Sequence, residues 1–447
     1  MDRSGRTLLV CGGLAIGAWA GPAGAWELPS YEDEAGNALT PSITLEGAFF
    51  PQSHSWFGQS RANLGDKSDY WFEEALTLAV DGKLSLGDAG YLYGRASGIL
   101  TASQRTDAAG SNLPDDDIED VALEDGYAGW NSGDLLVDRL GIDALDLSYG
   151  RQKYEVATGF LFDDGGSDGG QRGAYWIGAR RAFEQAAIAR VEAGSLLARA
   201  VFLEANDRPD TDTKIYGFDV EWTAEGLLTV GLGYYNVFES EMDSRDGMDV
   251  FDMRVQATPL ARAEFLPGLT LLGELALEEK GNTQEGHGVY GEIGYDFGET
   301  APWAPYVSYR YAHFSGDDPD TSEDDGFDPL FYGFTDWGTW LQGEILGEYV
   351  LLNQNLNSHT IRLRLSPRDD LTVNLLYYHF TLDEAEGFGV SESDFADEID
   401  LIFDYTLNDN VSFSVVGAVA EPRDGAEEFT GGNETWFYGM FYANVSF

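Results

Sequence analysis

The sequence predicts an all-β fold, a membrane β-barrel of antiparallel strands, and three observations support it. Apolar and polar residues alternate with period two along one segment after another, which is typical of strands with one face in water. These segments run for about 9 to 14 residues, which suits a tilted strand crossing a bilayer better than the roughly five or six residues of globular sheets. Aromatic residues gather near segment ends, as at 70–72 and 436–438, where barrels carry interfacial girdles.

The composition agrees with β structure and excludes two classes of protein. Gly (55), Phe (26), Tyr (23) and Trp (11) make up about a quarter of the 447 residues. The 78 acidic and 26 basic residues give a net charge of −52, so the chain would repel nucleic acid, and no nucleic-acid partner is expected. Beyond the N-terminus no apolar run approaches the roughly 20 residues of a membrane helix, which excludes a polytopic helical protein.

The N-terminus has the layout of a secretory signal peptide. Arg3 and Arg6 precede an apolar run at 8–20, and the small residues at 23–25 follow it. Cleavage after Ala25 would remove residues 1–25 and leave residues 26–447 as a single barrel domain in the bacterial outer membrane. The only cysteine, Cys11, lies in the removed segment, so the mature chain would carry no disulfide.

The alternation assigns a face to each side chain. Phe251, Met253 and Val255 alternate with Asp252 and Arg254, and the same pattern recurs at 216–222, 361–365 and 399–405. In a bilayer the apolar set would face lipid and the polar set would face the lumen, because an arginine held against hydrocarbon costs about 2 to 4 kcal/mol.

Counting such segments from about residue 42 gives roughly 18 strands, and counts of 16 to 20 fit the pattern. The Ala-rich stretch 180–204 is expected to form a hairpin turning at 194–195, because a chain in lipid must satisfy its backbone hydrogen bonds within the barrel. Short periplasmic turns are expected at 81–82, 367–370 and 408–410. Long outer loops are expected at 104–117, 159–172, 239–247, 316–336, 383–396 and 421–433.

Residues 327–384, which begin FDPLFYGFTDWGTWLQGEILGEY, resemble the C-terminal half of the alginate export porin family. The stretch LDLSYGRQKYE at 145–155 resembles that family's strand ending in Gly-Arg-Gln. The resemblance implies an outer-membrane porin that passes exopolysaccharide out of the periplasm through a lumen constricted by arginines and a few carboxylates. It also implies three partners: outer-membrane lipid, a polysaccharide substrate, and a periplasmic export scaffold.

The resemblance places Arg151 in the constriction, although Leu147 and Tyr149 share its face of the strand. Either a bulge at Gly150 turns Arg151 inward, or Arg151 lies at the membrane edge. Opposite charges on facing sides of the pore would orient a substrate without binding it tightly. Alternatively, these charged residues would pair only with one another and stiffen the barrel wall. The other candidate pore-lining residues are charged and lie on polar faces: Arg254, Arg310, Arg362, Arg364, Glu344, Glu348, Asp219, Glu292 and Asp400.

Enzyme and metal signatures are sparse. Ser358 beside His359 is the nearest approach to a nucleophile with a base, so an outer-membrane hydrolase is the remotest alternative and no enzyme is predicted. A cluster of hard oxygen donors could hold a structural calcium ion, although it lacks the EF-hand spacing, and no other cofactor is expected. Its candidate ligands are Asp317, Asp318, Asp320 and Asp324.

Two functions therefore stay open on the sequence. The first is export of an alginate-like exopolysaccharide, and the second is diffusion of small solutes through a general or nutrient-uptake porin. The identity of the polymer or solute and the direction of transport do not follow from the residues.

Overall fold

A closed antiparallel β-sheet forms most of the protein. The computed structural model describes residues 28–59, 70–105, 117–208, 210–263, 265–281, 283–333 and 342–447. The predicted signal peptide, residues 1–25, lies outside these ranges. Within them, no helix is both long enough and apolar enough to cross a bilayer.

The strands follow one another around the sheet in chain order. They are β1 Tyr31–Glu32, β2 Ala38–Ser53, β3 Tyr70–Ser85, β4 Tyr91–Gln104, β5 Asp117–Asn131, β6 Leu145–Gln152, β7 Phe183–Ala193, β8 Leu196–Glu204, β9 Lys214–Ala224, β10 Leu228–Glu239, β11 Asp249–Ala257, β12 Leu269–Lys280, β13 Gln284–Asp296, β14 Tyr306–Phe314, β15 Leu356–Arg368, β16 Leu371–Leu382, β17 Asp394–Asn408, β18 Val411–Pro422 and β19 Trp436–Ser446. The short β1 pairs only with β2, and β19 returns to pair with β2. The barrel β2–β19 therefore has 18 strands, which confirms the predicted class and count.

Short turns occupy one end of the barrel. The chain turns between β7 and β8, between β15 and β16, and between β17 and β18, as predicted at 194–195, 367–370 and 408–410. The turn predicted at 81–82 is wrong, because those residues lie inside β3 and pair with Thr40 and Leu39. The chain turns instead at 86–90, where Gly87 and Gly90 adopt positive φ angles that other residues avoid.

Long connections occupy the other end, as predicted for 239–247, 383–396 and 421–433. Most of the predicted loop at 104–117 lies outside the described residues. Short helical turns at Ser55–Gly58 and Asp424–Thr430 lie among these connections, and 3-10 turns occur at Gly87–Ala89, Gly133–Leu136 and Gly170–Arg172.

Side chains alternate across the barrel wall as the sequence predicts. Phe251, Met253 and Val255 are 44%, 53% and 41% exposed on the outside, whereas Asp252 and Arg254 are 4% and 5% exposed on the inside. The same alternation on the other strands gives the barrel an apolar outer surface and an inner wall on which charged residues and buried aromatic side chains both occur.

Two long connections fold into the lumen instead of outward. The first insert, residues 153–182, follows β6. The second insert, residues 326–333 and 342–355, contains a helical segment at Gly343–Leu351, and the largely exposed acidic residues 317–325 connect it to β14. They pair along their backbones, since Asp163 N donates to Phe331 O at 2.9 Å and Phe331 N donates to Leu161 O at 3.0 Å. Their buried aromatic and aliphatic side chains give the barrel a packed core: Phe160, Phe162, Phe327, Phe331, Ile345 and Leu346.

Candidate functional site

Two cavities border the first insert, and they meet at Gly178 and Arg181, which line both. The inner cavity, of about 500 Å³, lies between the first insert and the wall and includes Thr44 and Arg95 on the half of the wall nearer the short turns. The outer cavity, of about 320 Å³, lies between the two inserts and includes Asp207 and Arg245 from the long connections. The two cavities together form the candidate route.

Arg181 is held in place where the two cavities meet. Its Nη1 lies 3.3 Å from Oδ2 of Asp163, and its Nε donates to the carbonyl oxygen of Gly178 at 3.1 Å. Its backbone N–H donates to Glu124 Oε1 at 2.8 Å. These contacts fix a guanidinium where the two cavities meet, while 25% of the side chain stays accessible.

The other cations of the route differ in how they are paired. Arg95 binds Asp81 at 2.6 Å and Asp125 at 2.9 Å, and Arg245 binds Asp328 through two nitrogens at 2.6 and 2.7 Å. Lys153 lines the inner cavity and forms no ion pair within 4.0 Å among the described residues. Lys153 and Arg181 are therefore the cations best placed to meet an anion in transit.

Acidic side chains of the inserts line the outer cavity, and burial raises their pKa values. Burial raises the pKa of Asp164 to about 7, against an opposing effect of Arg181, and burial likewise raises the pKa of Glu348 to about 7. Burial, with the nearby charge of Asp164, holds the pKa of Asp168 well above its usual range. The charge of the outer cavity therefore changes across the pH range around neutrality.

Carboxylates of the wall anchor the inserts by their backbones. Glu398 on β17 accepts the N–H groups of Ile345 and Leu346, each at 2.8 Å. Each such contact satisfies a buried carboxylate and two buried N–H groups at once. Leaving either kind of group without a hydrogen-bond partner would destabilise the folded protein. Two further glutamates act in the same way: Glu73 on β3 accepts from Trp176 and Ile177, and Glu124 on β5 accepts from Arg181 and Ala182.

Several predicted pore-lining residues form closed ion pairs on the wall. Arg254 on β11 pairs with Asp219 and with Asp252, and Asp219 also receives Nη1 of Arg199 at 2.6 Å. Arg310 on β14 pairs with Glu292 on β13 at 2.7 Å. None of these predicted residues lines the two cavities.

The remaining predicted arginines, Arg362 and Arg364, lie on β15. Nε of Arg362 donates to Asn374 Oδ1 at 3.1 Å, and the Arg364 guanidinium lies 5.1 Å from the ring centre of Tyr306. Both contacts are with the neighbouring wall strands, and neither arginine lines a cavity.

Glu344 and Glu348 do not lie on a strand, which corrects their assignment to a polar strand face. Both belong to the helical segment of the second insert, which begins at Gly343 with a φ of 85° that interrupts extended structure. Glu344 accepts from Trp176 Nε1 at 3.2 Å, and its N–H donates to Asp400 Oδ2 at 3.2 Å. Glu344 and Asp400 therefore join the inserts to each other and to the wall, and Glu348 lines the outer cavity.

Arg151 pairs with the neighbouring strand. The register shifts between Gly150 and Gln152, which is the expected bulge, and Gln152 reaches the inner cavity. Arg151 itself does not line a cavity, and its Nη1 lies 3.8 Å from Glu184 on β7.

The acidic connection after β14 does not gather its carboxylates around a point. Asp318 accepts from the N–H of Asp320, and Asp317 accepts from that of Asp325, so each carboxylate serves the turn of its own loop. Among the described residues no three acidic, histidine or cysteine side chains stand close enough to hold a metal ion. The described residues therefore show no cluster around Asp317, Asp318, Asp320 and Asp324, and the calcium site suggested for them stays a prediction.

Lys153, Arg181 and the anchoring glutamates Glu73, Glu124 and Glu398 are not among the residues predicted from the sequence. The outer loop predicted at 159–172 is wrong, since these residues belong to the first insert, and the stretch 160–162 is Phe-Leu-Phe, an apolar run that an exposed loop does not favour. That run is the signal that could have identified the first insert.

Comparisons with known proteins agree with this architecture. A family model described as alginate export matches residues 94–427. The chain is similar to the solved structure of the outer-membrane protein OpdK from Pseudomonas aeruginosa, with 13% identity, coverage of 92% of this chain and 98% of that one, and a TM-score of 0.58. It is also similar to OccAB4 from Acinetobacter baumannii, with 11% identity, coverage of 91% and 97%, and a TM-score of 0.58. No curated protein sequence matches.

Proposed function

The chain belongs to the alginate export family, and on that basis we propose that it carries an anionic, alginate-like exopolysaccharide out of the periplasm across the bacterial outer membrane. In this proposal the polymer enters at the short-turn end, passes Lys153 and Arg181, and leaves among the long loops. A periplasmic export scaffold would deliver it to the short-turn end.

The presence of Lys153 and Arg181 along the route carries the proposal. A chain with a net charge of −52 repels polyanions overall, so a polyuronate needs local cations along its path. Within the described part of the chain Lys153 forms no ion pair, and Arg181 provides a cation that stays 25% accessible beside its partner Asp163. Weak binding at successive sites is what conduction requires.

A second candidate function is uptake of small solutes. The inserts leave cavities of about 500 and 320 Å³, within the size range of small-molecule sites. One solved structure of similar fold is OpdK from Pseudomonas aeruginosa with vanillate, at 12% identity and a TM-score of 0.58, covering 92% of this chain and 98% of that one. A small organic anion could meet the same two cations.

Planar bilayers distinguish the two functions. We expect acidic uronate oligomers added at the short-turn side to block the ion current, and neutral oligosaccharides of equal length to leave it unchanged. Small aromatic acids should block less than the oligomers. Equal block by neutral and acidic oligomers would contradict the proposal, and block by aromatic acids alone would favour small-solute uptake.

A further inference from the structure

Four of the five histidines of the chain form a row across neighbouring strands. They lie on β13, β14, β15 and β16, near the ends that lead into the long connections. The row shares the outer face of the barrel with Tyr309 and Ile361, which are 41% and 50% exposed. Its members are His287, His313, His359 and His379.

Two members of this row direct the same ring atom at each other. Nε2 of His287 lies 3.0 Å from Nε2 of His313, and the ring centres are 4.9 Å apart. Two imidazole nitrogens bound to one metal ion at about 2.0 Å stand about 2.8 Å apart at a bond angle of about 90° and about 3.3 Å apart at a tetrahedral angle. The observed separation lies between these values.

Asn357 on β15 fixes the tautomer of His313. Its Oδ1 accepts from the hydroxyl of Tyr311 at 2.7 Å and lies 2.9 Å from Nδ1 of His313. Because an amide oxygen only accepts hydrogen bonds, Nδ1 of His313 carries the proton and Nε2 presents a lone pair toward His287. A histidine that binds metal through one nitrogen and donates from the other to an oxygen is the usual arrangement.

The surroundings of the pair favour a cation. His287 is exposed and His313 is half-buried, so an ion can reach them from outside. Asp383 Oδ1 lies 3.7 Å from His313 Nδ1, and the largely exposed acidic residues 317–325 follow His313 closely in the chain. The backbone of His287 is held by Ser315, whose Oγ accepts its N–H at 2.9 Å. The negative charge raises the local concentration of cations, and the strands keep the two nitrogens in place.

We propose that His287 and His313 form a two-ligand site for a divalent transition-metal ion of the Cu²⁺, Ni²⁺ or Zn²⁺ class on the outer rim of the barrel. Water completes the coordination. The site differs from the calcium site considered above, because its ligands are imidazole nitrogens and it lies on the strands, outside the acidic loop. It is independent of the transported substrate.

Copper titration of the full chain in detergent micelles tests the site. We expect the Cu²⁺ electron paramagnetic resonance spectrum of the parent to show two coordinating nitrogens, and calorimetry to show one site. His287→Ala and His313→Ala should each weaken binding by at least about tenfold and remove one nitrogen. Asn357→Leu removes no ligand but should weaken copper binding by about tenfold, because the tautomer of His313 is no longer fixed.

His359→Ala is the matched control, since it removes a histidine of the same row outside the pair and should bind copper like the parent. Heat-dependent migration on gels verifies that each variant is a folded barrel. The proposal is wrong if the parent binds no copper, if His287→Ala and His313→Ala bind like the parent, if His359→Ala loses as much affinity, or if Ca²⁺ displaces the ion. In the first case the 3.0 Å contact is only a hydrogen bond between neutral rings.

Discussion

Nη1 of Arg181 lies 3.3 Å from Oδ2 of Asp163, so the cation shared by both cavities is paired with an acid of its own insert. The Arg181 side chain is 25% accessible and the Asp163 side chain is 4% accessible, so the cation is the more accessible partner of the pair. In the proposed export, a substrate carboxylate would meet the accessible part of the guanidinium and share it with Asp163.

Replacing Arg181 with glutamate should reverse the charge at the point where the two cavities meet. We expect the reversal potential in a salt gradient to move toward cation selectivity and block by uronate oligomers to weaken about tenfold, the loss of roughly one weak charged contact. Arg368→Glu, on an exposed short turn, is the control and should change neither measurement by a comparable amount. An unchanged block in Arg181→Glu would remove Arg181 from the route.

The wall arginines Arg362 and Arg364 should contribute less to ion selectivity than Arg181 does. Both face the inside of the barrel but line neither cavity, so replacing them together with glutamate should shift selectivity toward cations by less than Arg181→Glu alone. Measuring reversal potentials of the two variants at one salt gradient tests this order. If the double variant has the larger effect, the main ion path follows β15 and not the two cavities.

Loss of an anchoring glutamate should loosen the second insert. Glu398→Ala leaves the N–H groups of Ile345 and Leu346 without their acceptor, at a cost of about 1 to 3 kcal/mol each. We expect a lower melting temperature and a larger, noisier single-channel conductance. Glu421→Ala, which removes a carboxylate that accepts from Thr435 on the exterior, should leave conductance as in the parent. Equal conductance in the parent, Glu398→Ala and Glu421→Ala would show that the second insert is held by packing alone.

The outer cavity should make ion selectivity depend on pH. Asp164 and Glu348, with pKa values of about 7, lose their charge between about pH 8 and about pH 6, so cation preference should fall over that interval. The folded state also binds more protons than the unfolded chain between about pH 4 and about pH 7, so these two groups make unfolding easier as pH rises through that window. Reversal potentials of the parent and of Asp164→Asn with Glu348→Gln measure the effect, and an equally steep curve in the double variant would assign it to other groups.

The barrel itself should resist detergent. Because every strand of the barrel β2–β19 pairs with two neighbours, we expect unheated protein in detergent to migrate differently from boiled protein on gels. Its far-ultraviolet circular dichroism should be dominated by β structure, and a helical spectrum would be incompatible with this fold.

The wall was predictable from sequence because period-two alternation reports which face meets lipid. Arg254 and Asp219 were placed on the inner wall for this reason, and they lie there. The path of the inserts could not be predicted, because the alternation rule applies only to strands and the described residues of the inserts contain none. Glu344 was mistaken for a wall residue because its glycine-flanked segment retains alternating apolar positions, and Arg181 was overlooked because its position depends on contacts with distant strands.

The packing of Tyr349 has a consequence for how the protein assembles. Its ring in the second insert lies 6.4 Å from Trp436 and 6.3 Å from Trp71, which belong to strands on either side of the seam between β19 and β2. Nearer the short-turn end of that seam, Ile43 and Phe447 exchange backbone hydrogen bonds of 3.1 and 2.9 Å.

The seam joins the first long strand to the last, so it forms only after the rest of the chain has been ordered, and contacts so distant in sequence form slowly. Until then β2 and β19 each present an unpaired edge that can join to another chain. Docking of the insert across the seam would thus coincide with the final step of folding. A protein trapped before that step would lack its inner packing and would also be prone to aggregate.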